Sequence, residues 1–559
     1  MFVIFFLDSC DENHQNNQSD KVISEAIKRN NSEVEAIKII LSQSIDAAFK
    51  IDNNISLLQS SQLLQKIYSV NHFLPIWSDT GKWKNYALDL IDYIDTSAYD
   101  GLFRQDYHYQ SIKKIYALLK HNNYSVEFTK DWAKADVLMT DAFVRICQDL
   151  KQGRLQSDSL LWISDTSRFS NFFYNQIQLL NSKQNIFDIF DDLQPDNSDY
   201  RQLKKALKPF VKKMDNTNYT HLDQGFTKND EKDSLLFYSN IIKRLSEIKG
   251  LKVDSLNIGD SLWIAETIKK YQAMENLTVD GKISAKLIKR LNFTDKDKFN
   301  SIAVTLDRYK SYPQQMPEAY VWINLPAYSL YYFDEDSLSL YSKIVCGKPV
   351  TASPILNSNI KEIITYPTWT VPTSIIKKEM LPQLKMNPNY LSKKGLKLYD
   401  HKGTKVDPSS VNWKKYNKGI PYKIRQGSGD GNALGAIKFN FNNPFDVYLH
   451  DTNQRYLFSS NKRALSHGCI RVENWKKLAL LMLRKDSVLL SKNKSVKSKT
   501  VDLLSRLEKK QKHTFSLSNQ VPIFIGYFSC EGKGDTVVFH EDIYGNDEKL
   551  VNLYFKKNK

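Results

Sequence analysis

The stretch that decides the fold reads Tyr448-Leu449-His450-Asp451-Thr452 and, further on, Ser466-His467-Gly468-Cys469-Ile470-Arg471-Val472-Glu473-Asn474. A cysteine is a useful nucleophile only as the thiolate, which requires a nearby base or a positive field. A neutral histidine beside the thiol can take its proton and later supply one to a leaving amine. Gly468 allows a tight backbone turn that brings amide groups close to a reacting carbonyl. The segment therefore predicts acyl-transfer chemistry at Cys469.

Two histidines are candidates for the base. His467 lies two residues before Cys469, so in an extended segment the two side chains would share a face. His450 lies 19 residues before Cys469, at the end of a predicted strand, and could pair with the thiol only through the fold. The spacing alone leaves this choice open. A buried structural thiol with two incidental histidines is the alternative, which the second strand-end histidine disfavours.

Alternating residues on both sides of the segment predict an antiparallel β region that begins after Tyr320. Its predicted strands cover 321–325, 330–333, 338–345, 436–441 and 445–450. A long polar stretch at about 377–424 interrupts this region and shows little strand pattern. Because long insertions in compact domains are usually functional lids or disordered, we expect a lid here.

The N-terminal part of the chain follows helical spacing instead, as Leu64, Ile67 and Tyr68 illustrate. We expect a helical scaffold domain over 51–230. Over 231–300, two apolar stripes, an Asp280-Gly281 turn and a short last helix predict a small three-helix unit. Its layout resembles that of a peptidoglycan-binding module, and a structural spacer without ligand is the alternative.

Composition excludes several classes of protein. The chain has 559 residues, a net charge of +17, 41% hydrophobic and 12% aromatic residues, enough for several packed domains. No apolar run is long enough for a membrane-spanning helix, and five scattered cysteines predict neither a disulfide scaffold nor a zinc site. Lysines cluster over 492–512, but no nucleic-acid motif surrounds them, so we expect no nucleic-acid partner.

The N-terminus predicts export. Residues 1–7 are apolar, and Leu7-Asp8-Ser9-Cys10 resembles a bacterial lipobox, although Asp8 is a poor fit. We expect residues 1–50 to be a signal-like segment and tether, with a possible lipid anchor to a membrane through Cys10. A terminus without such a role is the alternative.

The catalytic segment resembles a known family. Ser466–Val472, preceded by His450, is similar to the signature of L,D-transpeptidases with a YkuD-type catalytic domain. Other segments resemble the YcbB-like branch of that family: Val345–Pro349, Trp369–Pro372, Arg425-Gln426, Asn432–Gly435, Lys438-Phe439, Val521–Ile523 and Asp542–Gly545. The resemblance covers most of 55–545 and implies a multidomain α+β protein. Its expected parts are an N-terminal α-helical scaffold, a small three-helix peptidoglycan-binding-like module, and a β-rich catalytic domain over 315–545 with a lid insertion.

The resemblance also implies a role for each motif residue. Cys469 is the expected nucleophile, and His450 is the expected general acid and base. Gly468, together with the Cys469 amide, would form the oxyanion site. His467 would lie near the thiol.

Tyr448 and Arg471 match family positions beside the site, where we expect supporting roles. The insertion 377–424 corresponds to the family's substrate-capping lid. Two features depart from the pattern: Cys346 stands where a β-branched residue is expected, and the Lys-rich stretch 491–513 looks longer than usual. Neither touches the catalytic pattern, and we expect no cofactor and no metal.

The reaction implied by the resemblance is transfer of an acyl group between peptidoglycan stem peptides. Cys469 would attack the diaminopimelate carbonyl of a donor tetrapeptide, release D-alanine and form a thioester. The side-chain amine of diaminopimelate on an acceptor stem would then form the cross-link. With water as acceptor the enzyme would be an L,D-carboxypeptidase, and a non-catalytic peptidoglycan-binding envelope protein is a further alternative. The expected location is the periplasm or cell envelope, and carbapenems are expected to acylate the thiol.

Overall fold

The structure is a computed structural model. It describes residues 31–43, 58, 60–79, 81–120, 126–155, 172–182, 185–223, 231–253, 261–275, 277–313, 315–417, 419–490 and 498–555. Cys10 and most of the predicted tether lie outside the described residues, as does 491–497 of the lysine-rich stretch. Among the helices described, none is both long enough and apolar enough to cross a bilayer.

The N-terminal domain is helical, as the sequence predicts. Its helices are α1 (31–43), α2 (Ser61–Val70), α3 (Asn85–Thr96), α4 (Tyr109–Lys120), α5 (Thr129–Lys151), α6 (Phe172–Asn181), α7 (Ile186–Asp192) and α8 (Ser198–Lys213). A short hairpin of β1 (Ser78–Asp79) and β2 (Lys82–Trp83) follows α2. Helix α1 lies within the predicted tether, but its Ile37 and Leu41 are buried in the core of this domain. That part of 1–50 is therefore packed structure.

A buried carboxylate organises the centre of this domain. Asp136 on α5 accepts hydrogen bonds from the Tyr68 hydroxyl at 2.5 Å and from the backbone amides of Ile76 and Trp77. Burial raises the pKa of Asp136. The carboxylate thus ties α2 and the segment before β1 to α5, where their backbone amides would otherwise be buried without partners.

Three helices form the next unit: α9 (Glu231–Ser246), α10 (Ser261–Met274) and α11 (Ala285–Asn292). They share a hydrophobic cluster of their own, which includes Ile241, Ile268 and Leu291. The predicted Asp280-Gly281 turn precedes α11, and Gly281 has φ +67°, where a glycine is favoured.

Helix α12 (Asp295–Tyr309) joins the helical and β parts of the molecule. It begins with a capping box of Thr294 and Asp297, and Phe299–Tyr309 are all buried. One face packs on α8, and Tyr309 stacks on Phe528 of the C-terminal domain at 4.3 Å between ring centroids. Helix α12 is therefore buried on all sides and packs against both domains.

The C-terminal domain is built on a nine-stranded sheet in the order β13-β5-β14-β12-β11-β6-β15-β3-β4. A further pairing of β4 with β5 closes eight of these strands into a barrel. The strands are β3 (Ala319–Asn324), β4 (Ser329–Asp334), β5 (Ser337–Gly347), β6 (Leu356–Thr365), β11 (Ile437–Phe441), β12 (Leu449–His450), β13 (Ala464–Ser466), β14 (Ile470–Val472) and β15 (His513–Gly526).

Helices and a hairpin complete this domain. Helix α16 (Trp475–Leu490) contributes Leu478 and Met482 to the barrel core, and α17 (Lys499–Glu508) contributes Leu503. The hairpin of β16 (Cys530–Lys533) and β17 (Thr536–Phe539) lies against α8, and α18 (Asn546–Leu550) follows it.

The insertion between β6 and β11 is a folded subdomain, which we call the cap (369–426). It contains a four-stranded sheet in the order β7-β10-β8-β9 and has its own hydrophobic cluster. Its strands are β7 (Trp369–Thr370), β8 (Leu396–Tyr399), β9 (Lys405–Val406) and β10 (Lys423–Gln426), and its helices are α13 (Thr373–Ile375), α14 (Leu381–Met386) and α15 (Tyr390–Lys393). The sequence shows little strand pattern here because strands of two to four residues are too short for a visible alternation. The molecule as a whole is a multidomain α+β protein, as predicted.

Candidate active site

Three neighbouring strands of the barrel carry a row of basic side chains. Lys438 on β11 is opposite His450 on β12, and His450 is opposite Arg471 on β14. The residues next to them in sequence, including Phe439 and Leu449, point into the barrel core. Because side chains alternate along a strand, Lys438, His450 and Arg471 lie together on the outer face.

The thiol of Cys469 lies directly before β14 and is hydrogen-bonded to Tyr448, which lies directly before β12. The Tyr448 hydroxyl contacts the thiol, and the indole of Trp369 on the cap also hydrogen-bonds to Tyr448. An indole N–H can only donate, so the hydroxyl proton is free to point at sulfur. The ammonium group of Lys438 lies 3.9 Å from the Tyr448 ring centroid.

Burial dominates the protonation of both candidate catalytic groups. It raises the pKa of the Cys469 thiol, whereas Tyr448, Lys438 and Arg471 lower it. Burial, together with the positive charge of Arg471, lowers the pKa of His450 to about 3. At neutral pH the resting site therefore holds a neutral thiol and a neutral imidazole.

The backbone carbonyls of Asp451 and Leu434 both hydrogen-bond to His450, and the contact with Asp451 is made by Nδ1. The Asp451 carbonyl can only accept, so Nδ1 carries the proton. The other nitrogen, Nε2, is consequently the basic one. The His450 ring also packs edge-on against Tyr448, with 5.7 Å between the ring centroids. His450 and Cys469 thus meet at Tyr448.

The backbone before the thiol turns sharply. Gly468 has φ +121°, a conformation that L side chains rarely adopt. Its N–H donates to Ser466 Oγ at 3.2 Å, and Ser466 Oγ in turn donates to the Cys469 carbonyl at 2.6 Å. For the predicted oxyanion role, the Gly468 N–H would have to give up its hydrogen bond to Ser466 Oγ and donate to the substrate instead.

The loop after β5 supports this turn. Ser353 Oγ donates to the Gly468 carbonyl at 2.6 Å and accepts from the Gly347 N–H at 3.0 Å. Tyr544, near the C-terminus, donates to the Gly347 carbonyl at 2.8 Å. A Cβ at Gly347 would lie 2.1 Å from the Thr351 carbonyl oxygen, so only glycine fits.

His467 contacts the cap. In an extended segment His467 and Cys469 would share a face, but the strand ends at Ser466 and residues 467–469 form a bend. His467 Nε2 lies 2.5 Å from Glu379 Oε1 on the cap. Among the described contacts, this ion pair and the Trp369–Tyr448 hydrogen bond connect the cap to the site.

Arg471 is partly buried and held by one hydrogen bond, from Nη1 to Gln454 Oε1 at 2.9 Å. Its Nε is buried without a partner among the described residues. Burial lowers the pKa of this guanidinium. An arginine with an unused buried donor beside the thiol is suited to bind an anionic group of a substrate.

Several of these residues were not predicted as site residues. Lys438, Trp369, Glu379 and Ser353 come together with Cys469 only through strand pairing and cap docking. Lys438 and Trp369 occur in segments that resemble the family, which was the only available signal. Glu379 lies in a stretch of ordinary polar composition, and Ser353 lies in a loop.

No group in the described residues places metal-ligating side chains around Cys469. In the described part of the chain, the one cluster with suitable spacing is Glu318, Asp334 and Glu335. Lys485 Nζ lies within 2.6–3.4 Å of carboxylate oxygens from all three. The lysine therefore already provides the cation there.

Two parts of the chain match models of known protein families. Residues 318–490 match the model of the L,D-transpeptidase catalytic domain, and residues 62–207 match a model described as a scaffold domain. Residues 318–490 are thus similar to the L,D-transpeptidase catalytic domain, the family that the motif around Cys469 resembles.

A Haemophilus influenzae protein named "Putative L,D-transpeptidase" is 31% identical over 230 residues. The match covers 41% of this chain and 45% of the relative, so the chain spans less than half of that relative's length. A solved L,D-transpeptidase from Mycobacterium smegmatis is 12% identical, covering 37% of this chain and 58% of that chain with a TM-score of 0.18. The Ldtfm-avibactam carbamoyl enzyme is 13% identical, covering 58% of this chain and 98% of that chain with a TM-score of 0.17.

Proposed function

We propose that the protein is a peptidoglycan L,D-transpeptidase in which Cys469 is the nucleophile and His450 the general acid and base. The observation that carries the proposal is the thiol held against the Tyr448 hydroxyl, in the field of Lys438 and Arg471. A hydroxyl donor and two cations stabilise a thiolate, which is the reactive form of cysteine.

The first half-reaction needs a proton to leave sulfur as it attacks. Because the resting thiol and imidazole are both neutral, the proton moves to His450 Nε2 when Sγ bonds to the diaminopimelate carbonyl carbon of the donor tetrapeptide. The C–N bond to D-alanine then breaks, and the imidazolium returns the proton to the leaving amine. A thioester on Cys469 remains, which preserves the acyl energy.

Protonating His450 between Lys438 and Arg471 places three cations in a row. Their mutual repulsion, together with burial, is what lowers the pKa of His450 to about 3. A substrate carboxylate bound at Arg471 would offset this repulsion. Peptidoglycan stems carry such carboxylates, so substrate binding itself would make His450 a stronger base.

In the second half-reaction the side-chain amine of diaminopimelate on an acceptor stem attacks the thioester carbonyl. The amine loses a proton to His450, the C–S bond breaks, and the thiol regains its proton from the imidazolium. A cap that excludes water over Cys469 favours the amine over hydrolysis. The ion pair between Glu379 and His467 supports such a role.

Two other functions are compatible with the same fold. An L,D-carboxypeptidase would use the same thioester with water as the acceptor. A non-catalytic peptidoglycan-binding envelope protein would not need the Tyr448–Cys469 contact, which disfavours it. We further propose membership in the YcbB-like branch, a location in the periplasm or cell envelope with a lipid anchor at Cys10, and acylation of Cys469 by carbapenems.

The test uses purified protein, with disaccharide-tetrapeptide muropeptides as both donor and acceptor, and mass spectrometry of the products. A cross-linked dimer that lacks one D-alanine, absent with Cys469→Ala, is the expected result. Cys147→Ala, which removes a buried thiol from α5 in the helical domain, is the matched control and should keep the activity. Loss of D-alanine without a dimer would favour the carboxypeptidase. No product from folded protein would favour the non-catalytic function.

A further inference from the structure

A polar cavity lies far from Cys469 in sequence, where the scaffold meets the three-helix unit. Its volume is about 260 Å³. It is lined by the end of α8, the segment after it, the C-terminal ends of α9, α10 and α11, and the start of α12. No step of the proposed acyl transfer uses it.

A buried arginine with an unused donor lines this cavity. Arg244 on α9 is 5% exposed. Its Nε donates to the Leu291 carbonyl at 3.0 Å, whereas its Nη1 is buried without a partner among the described residues. The guanidinium stacks on Tyr219 at 4.0 Å from the ring centroid. Burying a cation with an N–H donor that has no acceptor costs free energy, unless a ligand accepts that hydrogen bond.

The charges around the cavity leave a cationic surplus. Each of its three carboxylates is already paired, in Asp215–Lys249, Glu275–Arg290 and Asp295–Lys298. Arg244 and Lys213 form no salt bridge among the described residues, although the neighbouring carboxylate of Glu247 offsets part of the charge of Arg244. The site therefore attracts an anion, and the three carboxylates in its wall disfavour one of high charge.

The cavity is held in shape by the segment that follows α8. Thr220 bonds to Glu247 through both its N–H and its hydroxyl, and Leu222 exchanges two hydrogen bonds with Asn292. The Tyr219 hydroxyl donates to Asp215 at 2.9 Å. These bonds place the aromatic ring over Arg244 before any ligand binds, which lowers the entropic cost of binding.

We propose that this cavity binds the carboxylate group of a small ligand, with Arg244 and Lys213 as its partners. A planar, singly charged carboxylate matches the edge of a guanidinium and the modest positive surplus of the site. The volume is sufficient for an amino acid or the end of a short peptide. The inference is independent of Cys469, so it stands or falls separately from the proposed activity.

The test is calorimetric titration of the full chain with three probes: D-alanine, the tripeptide L-alanyl-γ-D-glutamyl-diaminopimelate, and inorganic phosphate. We expect one or both carboxylate probes to bind and phosphate to bind more weakly. Binding of D-alanine alone would identify a free amino acid as the ligand, and binding of the tripeptide alone would identify a peptide terminus.

Variants locate the binding. Arg244→Gln should weaken it at least tenfold, and Lys213→Ala, which changes an exposed side chain, should weaken it several-fold. Lys397→Ala, an exposed lysine on the cap, and Cys469→Ala should both bind like the unmodified protein. The assignment is overturned if neither carboxylate binds, or if Lys213→Ala and Arg244→Gln leave the affinity unchanged. It is also overturned if phosphate binds as tightly with the same dependence on Arg244.

Discussion

The hydroxyl group of Tyr448 is hydrogen-bonded to the thiol of Cys469. These residues lie at the starts of β12 and β14, which are parallel neighbours, so the contact follows directly from the strand pairing. The same hydroxyl contacts Trp369 on the cap. Tyr448 therefore links the proposed nucleophile to the subdomain that covers it.

Tyr448→Phe should slow acylation of Cys469 by roughly 10- to 100-fold, because a hydrogen bond to a charged group contributes about 1.5–3 kcal/mol. The measurement is the rate of thioester formation with a tetrapeptide donor, followed by intact-protein mass spectrometry. Tyr341→Phe, an exposed tyrosine on β5, should leave the rate unchanged. An equal effect of both substitutions would contradict the role of the hydroxyl.

The reactivity of Cys469 should increase with pH beyond the ordinary range of a thiol. Burial raises the pKa of Cys469, so the thiolate fraction at neutral pH is small. Since the pKa of His450 is about 3, its titration should add no step between pH 5 and 8. The measurement is the rate of iodoacetamide alkylation at Cys469 from pH 5 to 10. A plateau reached below pH 7 would show that the resting pair is ionised instead.

Removing the charge of Lys438 should raise the pKa of Cys469 further, because that charge lowers it. Lys438→Met should therefore slow alkylation at pH 8 by about tenfold, which corresponds to one pKa unit. The same pH series measures this shift. Lys397→Met, on the exposed side of the cap, is the matched control. An alkylation profile that is identical in Lys438→Met would rule out the electrostatic contribution.

Weakening the cap contact should shift the outcome of the reaction from cross-linking toward hydrolysis. Glu379→Gln removes the carboxylate that His467 contacts at 2.5 Å, so the cap should dock less tightly and water should reach the thioester more often. The ratio of tripeptide to cross-linked dimer should increase severalfold, and deletion of 377–424 should increase it more. Glu548→Gln, an exposed glutamate away from the cap, should not change the ratio. An unchanged ratio in both cap variants would refute the role of the cap.

Gly347→Ala should abolish the proposed activity through the loop that supports Gly468. The new Cβ would lie 2.1 Å from the Thr351 carbonyl oxygen, so the backbone between β5 and Ser353 must shift. Gly419→Ala is the control, because nothing lies within 4 Å of its Cβ position. The measurements are the rate of thioester formation and the thermal unfolding midpoint. Retention of full activity would show that this loop does not position the thiol.

The sequence allowed the prediction of those features that depend on local pattern. Strand alternation predicted β11, and the motif around Cys469 predicted the catalytic-domain model that matches residues 318–490. Helix α1 was not predicted because residues 1–50 were assigned to a tether as a whole, although Val34, Ile37 and Leu41 do recur at helical spacing. Tertiary pairing determined the rest. Glu379 is 88 residues from His467, and no local signal connects the two.

The separate core of the cap has a mechanical consequence. Leu384, Leu398 and Ile424 pack with one another inside the cap and not into the barrel. The cap can therefore move away from the barrel as one rigid unit, with its own fold intact. Opening would break the docking contacts at Tyr448 and His467, but no secondary structure of the cap would unfold. The cap can therefore open often without bringing the protein closer to unfolding.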